Sequence, residues 1–200
     1  MVSDTWIIVG LGNPGPTYAN NRHNIGHHVI AELLGRAGAK LSRHRSGALA
    51  AEIRIGMLPG GAPGPRAVVA VPNSFMNVSG RTTAKLAVFY GTQPDHFLVV
   101  HDELDLPAHQ LRLKIGGGEG GHNGLRSISQ SLGTRDYARL RVGIGRPPGR
   151  QDPADYVLSD FPTREHPDWQ VTVTQAADAI EDMVVNGFTD AQMRLHTLSK

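Results

Sequence analysis

The chain has 200 residues, a formal net charge of +2 and ten histidines. That length suits one α/β domain. No apolar run approaches the ~18 residues of a membrane span, and the first residues lack the basic-then-apolar order of a signal peptide. With no cysteine there is neither a disulfide framework nor a thiolate nucleophile. This composition fits a cytoplasmic protein, and the net charge alone is too small to argue for nucleic acid.

In chain order, Trp6-Ile7-Ile8-Val9 is an apolar run too short for a helix and reads as a buried strand. It enters Gly10-Leu11-Gly12-Asn13-Pro14-Gly15, where glycines and the prolines Pro14 and Pro16 demand a turn. Asn21-Arg22-His23-Asn24 follows on a loop, and Ile25, Val29, Ile30, Leu33 and Leu34 recur at helical spacing. Arg43–Gly47 is a basic loop. Ala50–Ile55 and Ala67–Val71 are strand-like, joined by a Gly/Pro connection at Gly60–Pro65. Pro72-Asn73-Ser74-Phe75-Met76-Asn77 ends the second of these. Ser79 is then the expected cap of a helix with Leu86, Phe89 and Tyr90 on one face, ending at Gly91.

Phe97–Val100 is a further buried strand that runs into His101-Asp102-Glu103-Leu104-Asp105. Gln110–Ile115 alternates as a strand, and Gly116–Gly124 is a mobile loop opening a helix through Leu125, Ile128 and Leu132. In Arg139–Ile144 the period of two puts Arg139 and Arg141 on one face. A long helix lies near Thr172–Val185, and a short one capped by Thr189 closes the chain. This alternation predicts the α/β class: a single three-layer α/β/α domain over residues 1–200, its twisted mixed sheet flanked by helices.

Polar clusters thus stand at the ends of several strands, where open α/β sheets place their chemistry. His23 has the side chain best matched to general-base work near neutral pH. Asp102 would orient it and stabilise the imidazolium. No serine sits in a Gly-x-Ser-x-Gly elbow, so the nucleophile has to be water. Asn13, Asn77 and Asn123 offer amide donors to a carbonyl or developing oxyanion. The glycine loop reads as a lid or anion cradle. Arg112, Lys114, Arg126, Arg139 and Arg141 frame it in sequence, which suits a polyanionic substrate, with Tyr18 and Phe75 placed to stack on a base or ribose. Two motifs are discounted. Gly10–Gly15 spells the dinucleotide fingerprint, but the next helix does not begin inside the glycines. His23 and His27 lack the intervening glutamate of zinc hydrolases, and His27 and His28 read as helix-surface residues. A non-catalytic RNA-binding module and a nucleotide-dependent oxidoreductase are the competing readings.

Gly10-Leu-Gly-Asn-Pro-Gly15 with Tyr18 and Arg22-His-Asn24, Pro72-Asn-Ser-Phe-Met-Asn-Val-Ser-Gly80, His101-Asp-Glu-Leu-Asp-Leu-Pro107, Gly116–Leu125 and Arg141–Pro147 together resemble the bacterial-type peptidyl-tRNA hydrolases. The resemblance recurs in order over nearly the whole chain. It implies cleavage of the ester between a peptide, or an N-blocked aminoacyl group, and the 3′ end of tRNA, releasing free tRNA with no cofactor and no metal. It implies a base at His23, support from Asp102, and discrimination of blocked from free aminoacyl ends by Asn13. Tyr18, Phe75, Met76, Asn77, His122 and Asn123 would contact the peptide and 3′ end, and Lys114 and Arg141 would clamp the 5′ phosphate beside the acceptor stem. A monomer without an obligate protein partner or membrane contact is expected. The chain departs from the family pattern at Asn21, at Ala108-His109 in place of Pro-Gly, and at Glu119 in the glycine loop.

Overall fold

The computed structural model describes residues 3–198. Its strands are β1 (Trp6–Gly10), β2 (Ser42–Arg43), β3 (Leu49–Arg54), β4 (Arg66–Val71), β5 (Phe97–Glu103), β6 (Leu111–Ile115) and β7 (Ala138–Gly143). They form one seven-stranded sheet in the order β2-β3-β4-β1-β5-β7-β6. The inner four, β4, β1, β5 and β7, run parallel, and the outer pairings are antiparallel. The mixed α/β sheet expected from the sequence is therefore what forms.

Alternation along the inner strands feeds two cores. Ile8, Val69, Leu98, Val100 and Leu140 face α1 (Ile25–Ala37), α5 (His166–Asn186) and α6 (Phe188–Leu198). Ile7, Val9, Val68, Phe97 and Val99 face α2 (Ser79–Tyr90) and α3 (Asn123–Leu132). Both sides of these strands are covered, so they read in sequence as unbroken apolar runs. A short helix, α4 (Pro153–Val157), lies near the carboxyl edge of the sheet.

Chain order places β1 between β4 and β5, so successive connections leave it in opposite directions. A crevice at the carboxyl ends of the strands results. The first wall of that crevice is set by how closely α1 approaches β1. A Cβ on Gly26 would lie 2.5 Å from both the Leu11 nitrogen and the Val100 oxygen, and one on Gly10 would lie 2.3 Å from the Gly26 oxygen. Only a hydrogen fits at either position.

Several elements differ from expectation. β5 runs on through His101, Asp102 and Glu103, which are strand residues and not loop residues. Ser79 does not cap α2: its Oγ donates to the Met76 carbonyl at 2.8 Å, and a 3-10 turn at Met76–Val78 leads into the helix instead. Phe89, expected on one face of α2 with Leu86, is 49% exposed, whereas Leu86 is buried. Thr189 lies inside α6, and α5 begins at His166, earlier than its apolar stripe indicated. The turn after Pro107 forms without glycine: His109 adopts φ 73°. It is held there by a 2.8 Å bond to Thr172 Oγ1 and by its ring against Trp169.

Gly26→Ala is expected to lower stability by about 2–3 kcal/mol through overpacking. The added methyl group must push apart the strand bond from Leu11 N–H to the Val100 carbonyl, 3.0 Å long. Urea unfolding measures this, and a midpoint equal to wild type would show that α1 can shift freely.

Candidate active site

Asn13, His23, Met76, Asn77, Asp102, His122 and Asn123 line one cleft of about 390 Å³ at the carboxyl edge of the sheet. Asn13 comes from the turn after β1, Met76 and Asn77 from the turn after β4, Asp102 from the end of β5, and Asn123 from the start of α3. Phe75 stands at the rim, 57% exposed. Tyr18 packs edge-on against it, ring centres 6.3 Å apart.

The centre of the cleft is a buried carboxylate between two imidazoles. Asp102 Oδ2 lies 2.7 Å from His23 Nδ1, and Asp102 Oδ1 lies 2.9 Å from His122 Nε2. A carboxylate only accepts, so each of these nitrogens carries its proton. His122 also accepts, through Nδ1, from the N–H groups of Gly124 and Leu125 at the start of α3. Its neutral tautomer is thereby determined from both sides. On His23 the free Nε2 is left as a base. Burial opposes the charging of His23, but the Asp102 charge and hydrogen bond outweigh it, and its pKa lies above the ordinary 6.5. For Asp102 burial likewise opposes ionisation, yet the two imidazoles hold it far below the usual carboxylate range. His101, next on the strand, is pushed down to about 3 by burial and by its neighbour His122. It is neutral and donates to the Asp102 carbonyl at 2.8 Å.

Asn13 is oriented by its surroundings. Its Oδ1 accepts from the Met76 N–H at 2.7 Å, which turns its Nδ2 donor the other way. Its backbone is clamped by Asn24: the Asn13 N–H donates to Asn24 Oδ1, and Asn24 Nδ2 donates to the Asn13 carbonyl, both at 2.9 Å. Beneath this loop lies His27, and here the expected surface position is wrong. A Cβ on Gly12 would meet three atoms of the His27 ring at 2.7, 2.7 and 2.8 Å. The His27 Nε2 is buried without a partner. Burial, with the neighbouring His28 charge, draws its pKa down to about 4. His28 does reach the surface, its Nε2 2.7 Å from the Ala19 carbonyl.

Not every predicted residue reaches the cleft. Arg141 and Lys114 lie outside its lining. Arg141 donates from Nε and Nη2 to Glu103 Oε1 at 2.9 and 2.6 Å, so its charge is already engaged. Lys114 Nζ lies over Gly117, where a Cβ would approach it to 2.5 Å. Arg139, expected among the polyanion-facing cations, is buried. It holds the glycine loop by donating to the carbonyls of Gly118 and Gly117 at 2.7 and 3.1 Å. The Glu119 carboxylate is tied to Arg135 at 2.9 Å.

The sequence reading missed the far wall, formed by Glu103, Leu104, Pro153, Ala154, Val157 and Leu158. The segment carrying α4 is fastened to the His23 turn: Arg22 donates to Ser159 and Asp160, and stacks 4.3 Å from the Tyr156 ring centre. Asn21 donates to Asp160 Oδ1 at 2.6 Å. Asp152 followed by Pro153, a cap and a first-turn proline, was the signal for this helix.

His23, Asp102 and His122 also present ligand-type atoms within 4.8 Å of one another. The nitrogens facing Asp102 are protonated donors. A cation between them would have to replace both protons, leaving His122 as an imidazolate if its Nδ1 still accepts from α3.

Comparison with known proteins agrees along the chain. The peptidyl-tRNA hydrolase family profile matches residues 7–200. The peptidyl-tRNA hydrolase of Kineococcus radiotolerans is 58% identical over 195 residues, covering 98% of each chain. That of Pseudarthrobacter chlorophenolicus is 53% identical over 195 residues, covering 98% of this chain and 97% of its own. The crystal structure of peptidyl-tRNA hydrolase from Acinetobacter baumannii matches with a TM-score of 0.84 at 32% identity, over 98% of this chain and 96% of that one. These matches place the molecule among the hydrolases built on an open α/β sheet. More narrowly, the chain belongs to the peptidyl-tRNA hydrolase family.

Asn24→Ala leaves a buried N–H and a carbonyl of Asn13 without partners. At ~1–3 kcal/mol for each unsatisfied group, the expected loss is about 2–4 kcal/mol. Asn24→Asp keeps the acceptor but sets a buried carboxylate oxygen against the Asn13 carbonyl, so it should lose at least as much as the alanine variant. Chemical denaturation of both variants is the measurement, and a loss below about 0.5 kcal/mol for the alanine variant would remove the clamp.

Proposed function

We propose that the cleft hydrolyses the ester joining a peptide, or an N-blocked aminoacyl group, to the 3′-terminal ribose of tRNA. His23 Nε2 takes a proton from water as the water oxygen attacks the ester carbon. Asp102 holds the Nδ1–H and stabilises the imidazolium that forms. The Nδ2 group of Asn13, with the amides of Asn77 and Asn123, donates to the ester carbonyl and to the oxyanion that develops on it. Collapse of the intermediate breaks the carbon–oxygen bond, and the His23 imidazolium returns its proton to the departing ribose oxygen. The products are a peptide carboxylic acid, which ionises, and tRNA with a free 3′ hydroxyl.

The observation that carries this reading is the 2.7 Å His23–Asp102 pair set among amide donors in one cleft. An ester is cleaved more readily than an amide, so a base, a water and oriented donors are enough without a covalent intermediate. The protonated nitrogens around Asp102 support a metal-independent route. Every group named comes from one chain, so the site is complete without a second subunit, as a monomer requires. Phe75, Met76 and Tyr18 then receive the terminal nucleotide and peptide, and Asn13 distinguishes an N-blocked from a free amino end. Lys114 faces the 5′ phosphate at the acceptor stem. Arg141 acts there through Glu103, cancelling an acid that would repel RNA. His122 works as the second anchor of Asp102 and as the cap of α3.

The test is release of tRNA from N-acetyl-aminoacyl-tRNA in EDTA, with the unblocked ester as control. Wild type should cleave the blocked ester selectively, and His23→Ala should lose about 10²–10⁴-fold in kcat. Full activity in His23→Ala, or dependence on an added metal, would defeat the mechanism.

The pH profile follows from the direction of the His23 shift. The active form is the neutral imidazole, so kcat/KM falls as pH drops through the His23 pKa, and the acid limb should centre above 6.5. In Asp102→Asn the raising influence is gone while burial remains. The limb should move below 6.5 and the plateau should drop. An unmoved limb would mean that the titrating base is another group.

A further inference from the structure

Away from the cleft, the turn between β2 and β3 packs on the outer face of α2; a Cβ on Gly47 would lie 3.2 Å from Thr82 Cγ2. Between them runs a groove of about 430 Å³ lined by Arg45, Ser46, Ala84, Lys85, Val88 and Phe89. Val88 is 84% and Phe89 49% exposed, unusual for apolar side chains that share one patch. Arg45, Arg81 and Lys85 are exposed around it. Neither segment, Ser42–Ala51 nor Ser79–Gly91, contains an Asp or Glu. Arg36, Arg66, Arg135, Arg141, Arg146 and Arg194 are each paired with a carboxylate, whereas among the described residues these three cations, like Lys114 and Arg126, form no ion pair. The nearest acid in the chain, Glu52, is taken by Arg66 and Tyr90.

The aromatic part of the groove is held in place. Phe89 sits edge-on to His44 at 4.6 Å and to Tyr90 at 4.8 Å. The Arg45 guanidinium lies 5.8 Å from its ring centre. Flat ring and guanidinium surfaces among unneutralised cations are what a strand with exposed bases and regular phosphates requires. An acidic peptide would use the cations and leave the flat surfaces idle, and a duplex would hide its base faces. From Arg81 to Phe89 the patch extends ~12 Å along the helix.

We propose that this groove binds single-stranded RNA, with a base stacked on Phe89 and Arg45 and phosphates on Arg45, Arg81 and Lys85. The site is separate from the hydrolytic cleft and does not depend on the reading given to it.

The experiment uses the full chain and a fluorescein-labelled uridine hexamer, read by anisotropy across a salt series. Three phosphate contacts predict a slope of log K against log salt of about −2, at ~0.7 per contact for a single strand. Arg45→Glu with Lys85→Glu should weaken binding at least tenfold and reduce the slope to about half or less. Phe89→Ala should weaken it about tenfold and leave the slope unchanged. Hydrolysis of N-acetyl-aminoacyl-tRNA should be unaffected in both, which also shows that both fold. No binding by wild type overturns the proposal. So does binding that survives Arg45→Glu with Lys85→Glu but is lost in Lys114→Glu, which puts the strand at the cleft. Equal competition by polyglutamate or by duplex RNA overturns it as well.

Discussion

The site depends on a carboxylate that has been taken out of water and compensated twice. Burying a charge is costly unless it is paired and hydrogen-bonded. Asp102 meets this with one imidazole N–H on each oxygen. Each of those bonds has a further consequence. The first sets the tautomer of His23 and leaves its Nε2 free. The second sets the tautomer of His122, whose other nitrogen then accepts the orphan N–H groups at the start of α3. Asn123 is the first residue of that helix. One carboxylate therefore orients both the His23 imidazole and the helix start that bears Asn123, on segments far apart in the chain.

The opposite wall is built from close backbone contact in place of charge. The absence of Cβ atoms at Gly10 and Gly26 lets α1 sit directly on β1, and the missing Cβ at Gly12 lets the His27 ring lie under the loop. Asn24, between the His23 turn and α1, then reaches Asn13 with both ends of its amide. The Asn13 side chain, which lines the cleft, is therefore fixed by a helix start, not by the loop that bears it. This is how a Gly/Pro-rich turn, which has little structure of its own, presents a side chain in one orientation.

What could be read in the sequence was what local patterns control. Apolar runs identified β1, β4 and the first half of β5, because both faces of these strands are covered. The helical stripes of α1, α3 and α5 were equally plain. Polar loop residues after strands marked Asn13, His23, Asn77, Asp102 and Asn123, and the structure brings all five into one cleft. The failures arise where partners come from elsewhere. The period of two puts Arg139 and Arg141 on one face but does not show that glycine-loop carbonyls cover the first and Glu103 neutralises the second. Spacing put Phe89 on one face with Leu86, yet among the described residues no element beyond the β2–β3 turn lines that part of α2. Nor does any local pattern reveal that His122 and Asp102 share a hydrogen bond.

The pairing of Arg141 with Glu103 also changes how affinity for a polyanion has to be understood. Asp102 and Glu103 both line the cleft, so its floor carries two carboxylates. Two imidazole N–H groups partly offset the first, and Arg141 cancels the second. The immediate surroundings of the base are thus close to electrically balanced, which suits a step in which charge develops on an ester oxygen and must be met by oriented dipoles and not by a mobile cation. Under the proposed function, attraction for phosphate would come from cations farther out, such as Lys114, where field lines reach solvent and are screened by salt. In that reading catalysis and RNA affinity would use different side chains. A substitution that weakens the second should raise KM without moving the pH at which His23 gains its proton.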